Sequence, residues 1–127
     1  MEGLTEALAD ELRPLGIAAT VVEPGFFRTD FLSSTSLAST KMRIDDYAET
    51  VGRMRAIAAG ADHKQPGDPK KLSRAILALV DSPNPPVRLP LGSDTVARIR
   101  SKNQYVEKEL ADWLQLALST DHDDAAN

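Results

Sequence analysis

Glu23-Pro24-Gly25-Phe26-Phe27-Arg28-Thr29-Asp30-Phe31 is the stretch of this 127-residue chain whose residue types and spacing could do chemistry. Proline followed by glycine sets a sharp turn whose backbone groups face outward, and Thr29 adds a hydroxyl that both donates and accepts. Phe26, Phe27 and Phe31 bring flat apolar surface, so three phenylalanines out of one Trp, two Tyr and three Phe in the whole chain fall in this one turn. The turn directly follows the apolar run Ile17 to Val22, and in an open parallel sheet the carboxyl end of a strand is where ligands bind. On the residues alone, two readings stand: a ligand-facing turn, or a hydrophobic loop packed on the core.

Other chemistries find less support. The seven glycines, at positions 3, 16, 25, 52, 60, 67 and 92, are too widely spaced for either glycine-rich phosphate loop. His63 lies in a polar loop and His122 in an acidic tail. Asp121, His122, Asp123 and Asp124 could hold a divalent ion weakly, but a solvated, frayed tail is the better reading of them, and no metal is assigned. With no cysteine in the chain, disulfides, thiolate metal sites and thiol nucleophiles are excluded.

The elements that must position the turn follow from periodicity. Leu4, Leu8, Leu12 and Leu15 recur every three or four residues, predicting a helix over 2–15 that stops at Gly16. The run 17–22 has no polar alternation and suits a strand buried on both faces. Ser33 to Thr40 is a polar, small-residue loop. A helix is expected over 44–59, with an apolar stripe of Tyr47, Val51, Met54, Ile57 and Ala58, ending at Gly60. Asp68-Pro69 is a helix start, and Leu72, Ala75, Ile76, Leu79 and Val80 form the apolar face behind it. The run 87–92 is a second short strand, and its internal Pro90 suits a sheet edge. A long final helix spans 94–119, with Ser93 as a possible cap. The order predicts one strand–crossover–strand unit of a parallel sheet. Two strands leave edges unpaired and cannot cover four helices, so the pattern points to a piece of something larger.

Fifteen Lys+Arg against nineteen Asp+Glu give a formal charge of −4, which disfavours nucleic acid as a partner. No apolar run is long enough to span a membrane, and the first residues do not read as a secretion signal, so a cytoplasmic location is expected.

The segments Glu2-Gly3-Leu4-Thr5-Glu6-Ala7-Leu8, Leu15-Gly16-Ile17, the turn from Val22 to Phe31, Gly67-Asp68-Pro69, and Pro86-Val87-Arg88-Leu89-Pro90-Leu91-Gly92-Ser93-Asp94 occur in that order. Together they resemble the C-terminal half of the short-chain dehydrogenases/reductases, over nearly the whole chain up to about Ser119. The resemblance implies an α/β fold: the last two strands of a Rossmann-like, doubly wound parallel sheet with flanking helices and a long C-terminal helix. Residues 1–119 would be the C-terminal portion of one NAD(P)-binding domain, and residues 120–127 an acidic frayed tail.

In that family the Pro-Gly turn meets the nicotinamide end of NAD or NADP. Pro24, Gly25, Phe27 and Thr29 match the pattern as cofactor-binding residues, with an amide near Phe27 and the Thr29 hydroxyl holding the carboxamide. Phe26, Phe31 and the Ser33 to Thr40 loop would lie near an alcohol or carbonyl substrate, where the family carries a variable lid. The family's Tyr-x-x-x-Lys acid–base pair belongs on the helix that begins here at Glu2 and falls upstream of Met1. Tyr47 is followed four residues later by Val51, and Tyr105 by Glu109, so neither tyrosine replaces it. The catalytic serine and the glycine-rich first turn belong to the same upstream half. The expectation is a fragment of an NAD(P)-dependent oxidoreductase, from a mis-started frame, a truncated gene or an excised segment, with no catalytic residue of its own and inactive alone. The alternative is a non-catalytic partner that associates, with a copy of itself or another chain, through its first helix and exposed sheet edge.

Overall fold

The computed structural model describes residues 1–33, 35–38 and 40–122. Two compact units are found, Met1–Thr95 and Val96–Asn127.

In the first unit, helix α1 spans Glu2–Leu12 and passes into a 3-10 turn, Arg13–Leu15. The sequence expectation of one helix to Leu15 is therefore shortened, because Pro14 has no N–H to continue the ladder. Gly16 closes the end in the left-handed region at φ 71°, its N–H donating to the Arg13 carbonyl while the Ile17 N–H donates to that of Leu12.

Strand β1 is Val21–Pro24 and strand β2 is Arg88–Leu91. They pair in parallel, Val21 opposite Arg88 through Pro24 opposite Leu91. The strand was expected over 17–22 but lies further on, since a ladder forms only where a partner strand runs alongside. Thr20 just before it is held instead by its hydroxyl, which donates to the Pro86 carbonyl at 2.7 Å. Val21 N–H and Gly25 N–H donate to the Val87 and Leu91 carbonyls, both at 2.8 Å. The odd-numbered residues of β2 thus face β1, and the nitrogen of Pro90 points to the open edge, where a missing donor costs nothing.

The crossover between the strands is helical. A 3-10 turn, Asp45–Tyr47, widens through a π turn, Ala48–Gly52, into α2, Arg53–Ala61. Gly60 does not end it as expected; the reversal is made by His63 at φ 54°. The stripe foreseen on this segment is largely uncovered: Tyr47, Val51, Met54 and Ile57 are exposed and Ala58 is half-buried. Helix α3, Pro69–Val80, starts where Asp68 accepts the Lys70 N–H at 2.8 Å. Leu72, Ala75, Ile76 and Leu79 are half-buried, whereas Val80 is exposed. It lies about 80° round the helix from Leu72, at the margin of the stripe. Helix α4, Ser93–Leu118, takes Ser93 as its first residue rather than as a cap.

Few apolar side chains find cover. Among the described residues only Ala9 and Leu32 are buried apolar positions, each still 8% exposed, while Leu15 is 71% exposed. The accessible surface is 10728 Å², against about 7,800 Å² for two separate compact bodies of these sizes. Among the described residues no helix is long and apolar enough to cross a membrane. Of the loop over 33–40, Ser34 and Ser39 lie outside the described residues, and so does the tail beyond His122.

Candidate functional site

The turn leaves the carboxyl end of β1, and three close approaches shape it. Gly25 is the first: a Cβ there would stand 2.1 Å from Asp94 Oδ1, so only glycine leaves room for the carboxylate. Asp94 uses that room, its Oδ2 accepting the Phe26 N–H at 2.7 Å. Gly92, at φ 107°, is the second, because its left-handed backbone brings the chain past Gly25 and into α4. The third is Gly67, where a Cβ would meet the Phe27 ring at 2.6 Å and the Phe26 carbonyl at 2.9 Å.

Gly67 and Phe27 form an isolated parallel bridge. Gly67 N–H donates to the Phe26 carbonyl at 3.0 Å, and Arg28 N–H donates to the Gly67 carbonyl at 2.9 Å. A parallel bridge of this kind turns the amide of the central residue to the other side. Among the described residues the Phe27 N–H accordingly has no hydrogen-bond acceptor. Two residues on, the Thr29 oxygen accepts the Phe31 N–H at 3.4 Å and caps the short turn Asp30–Leu32, which leaves its hydroxyl proton to donate elsewhere.

Arg28 faces the other way. Its Nε and Nη2 both donate to the Gln65 carbonyl, at 3.2 and 3.1 Å, tying the turn to the loop before α3. Gln65 is 2% exposed, yet both atoms of its amide lack partners among the described residues, as does Asp94 Oδ1. Phe31 is 74% exposed, Phe26 is also exposed, and Phe27 is half-buried against Gly67. Of the two residue-level readings of the turn, packing on a core is met only by Phe27 and by Leu32 beyond it. Pro24, Gly25, Phe26, Phe27 and Thr29 are brought together in one turn, and Phe31 continues it on the exposed side. Sequence reasoning missed Asp94, Gly92 and Gln65 as builders of the turn. Gly92-Ser93-Asp94 at the start of a helix reads as a local cap, and nothing in its spacing shows that the carboxylate reaches back to Phe26.

No family model matches the chain. It is similar to an oxidoreductase of Botryotinia fuckeliana, 28% identical over 93% of this chain and 42% of that protein. It is also similar to a 3-ketodihydrosphingosine reductase of Bacteroides thetaiotaomicron, 34% identical over 72% of this chain and 34% of the relative. The crystal structure of a short-chain dehydrogenase from Streptomyces avermitilis superposes with a TM-score of 0.79 at 38% identity, covering 95% of this chain and 43% of that one. The chain corresponds to the C-terminal half of a short-chain dehydrogenase/reductase.

The chain spans about two fifths of the length of the dehydrogenase and of the fungal oxidoreductase it matches. The uncovered apolar surface is what such a correspondence requires, because two strands and their helices are built to be closed over by the rest of a parallel sheet. Within the short-chain dehydrogenase fold the turn from Pro24 to Thr29 leaves the carboxyl end of a parallel strand, the place where open α/β sheets bind ligands.

Proposed function

We propose that this chain supplies the nicotinamide-side wall of an NAD(P)-dependent alcohol or carbonyl oxidoreductase, and that alone it does not turn over. The observation that carries the reading is the Phe27 N–H, without an acceptor among the described residues and two residues from the Thr29 hydroxyl. A planar carboxamide needs a donor for its oxygen and a partner for its NH2 group, and a turn that offers an amide and a hydroxyl on neighbouring residues fits it. Residues for the rest of a dinucleotide are missing from this sequence, since no two of its glycines are close enough to cradle a pyrophosphate.

Pro24 and Gly25 shape the turn, Phe27 and Thr29 would hold the carboxamide, and a bound nicotinamide would supply or accept a hydride. Holding the ring by one edge decides which of its faces is presented to a substrate. Phe26 and Phe31 are exposed on the turn; there they would exclude water from a carbonyl or secondary alcohol and contact its apolar part. The proton for the substrate oxygen has no donor here, because the chain carries no Tyr-x-x-x-Lys.

The test uses the 127 residues as they are. Titration with NAD should shift the Phe27 and Thr29 amide resonances with an affinity in roughly the millimolar range. ADP-ribose, which lacks the nicotinamide, should leave them in place, and Thr29→Val should weaken the response. NADH or NADPH absorbance followed with a panel of carbonyl substrates should stay flat. Equal shifts with ADP-ribose would remove the carboxamide assignment, and turnover above buffer would remove the claim of inactivity.

A second reading rests on α1 and the 3-10 turn after it, where Leu4, Leu8 and Leu15 are exposed. A non-catalytic chain that associates through this helix and the open sheet edge would sediment as a defined complex, and a fragment would aggregate.

A further inference from the structure

Helix α4 carries a pattern that the hydride chemistry does not use. From Val96 the apolar residues Val96, Ile99, Val106, Leu110 and Trp113 alternate steps of three and four, with Asn103 at the one polar place in the series. This is heptad spacing, with Val96, Asn103 and Leu110 at a and Ile99, Val106 and Trp113 at d. Val106 and Leu110 are exposed, and Trp113 is 65% exposed. Most of a helix's stability in a protein comes from packing of its apolar face rather than from propensity, so a partner that covers this stripe would stabilise α4.

The charges beside the stripe select what covers it. The flanking e and g positions carry Arg100 and Lys102 in the first half and Glu107 and Glu109 in the second. Lys102 stands over the Tyr105 ring, 5.0 Å from its centre, and the Tyr105 hydroxyl donates to Glu109 at 2.5 Å, so Lys102 and Glu109 are held along one flank. Consider a second α4 laid antiparallel with Ile99 facing Leu110. Val96 then meets Trp113, small against large, and the two Asn103 side chains occupy neighbouring layers at the centre of the seam. Arg100 lies across from Glu107 and Lys102 across from Glu109, and two-fold symmetry makes each pair twice. A parallel pairing instead sets basic halves side by side and Trp113 against Trp113, and it aligns the two helix dipoles.

We propose that α4 pairs with α4 of a second copy of this chain as an antiparallel coiled coil. The pairing is independent of the nicotinamide-side role of the Pro24 to Thr29 turn, and of the α1 face.

The full chain contains no cysteine, so introduced thiols report cleanly. Under mild oxidation Ile99→Cys/Leu110→Cys links two copies, whereas Ile99→Cys alone does not, because eleven residues of helix hold the two thiols about 16 Å apart. By sedimentation, the unmodified chain runs at twice its 13.8 kDa. Arg100→Glu/Lys102→Glu weakens the dimer by about tenfold or more, and adding Glu107→Arg/Glu109→Lys restores it. A monomeric chain, efficient linking by Ile99→Cys alone, or charge reversal without effect on the dimer would each overturn the proposal.

Discussion

The Asp94 carboxylate accepts the Phe26 N–H at 2.7 Å, across 68 positions of sequence, and so joins the first turn of α4 to the turn that leaves β1. Among the described residues no other side chain hydrogen-bonds these two segments to each other, and the contact exists only because Gly25 leaves space beside it.

Removing the acceptor strands the Phe26 amide. Asp94→Ala should destabilise the first unit by about 1.5–3 kcal/mol, the range for a hydrogen bond to a charged group. Asp94→Asn keeps a carbonyl oxygen and should cost about half as much or less. Urea unfolding reads the total, and hydrogen exchange at the Phe26 amide, faster in Asp94→Ala, reads the local effect.

Gly25 and Asp94 should be energetically coupled. Gly25→Ala pushes a methyl into the carboxylate, so it should be strongly destabilising in the native background. Once Asp94→Ala has cleared the space the same change should cost less, with a coupling of about 1 kcal/mol or more in a double-mutant cycle. Additive costs would show that the two residues do not share the site.

Gln65 is a buried amide without partners for either of its atoms among the described residues. Gln65→Met keeps its length and removes the desolvated groups, so it should be neutral or should stabilise by about 1 kcal/mol. The Arg28 contact survives the change because it is made to the backbone carbonyl of residue 65. A loss of stability would mean that the amide is satisfied.

Tyr105 titrates above the ordinary value of 10.0, chiefly because its hydroxyl donates to Glu109. A raised pKa favours the protonated form in the folded helix. Its small stabilisation is therefore present below pH 10 and lost as pH rises through the folded value. In Glu109→Gln the tyrosinate absorbance of Tyr105 should appear at lower pH than in the native chain.

Arg88 clamps α1 to the start of β2, with Nη1 2.6 Å from Glu2 and Nη2 2.7 Å from Glu6. Both pairs are open to water and screened by it, so Arg88→Met should cost little stability. The cost should shrink further in molar salt, where the Debye length is about 3 Å. A salt-independent loss would mean that the arginine's packing matters more than its charge.

What the sequence determined by itself is local. Leucines at steps of three and four made α1, Asp68-Pro69 started α3, and the β-branched run with Pro-Gly after it announced a strand and a turn, because propensity and capping act within a few residues. The order of these segments also carried the resemblance to the dehydrogenases, and with it the choice of Pro24, Gly25, Phe27 and Thr29. Tertiary structure decided what depends on neighbours distant in sequence. The ladder is 21–24 rather than 17–22 because β2 lies there, the stripe on 44–59 is exposed because no surface meets it, and Phe27 has an outward amide because Gly67 takes the groups on either side of it. Asp94, read in the sequence only as the first residue of its helix, holds the amide of Phe26. A carboxylate can serve any donor within reach, and which donor comes within reach is settled only when the two strands pair.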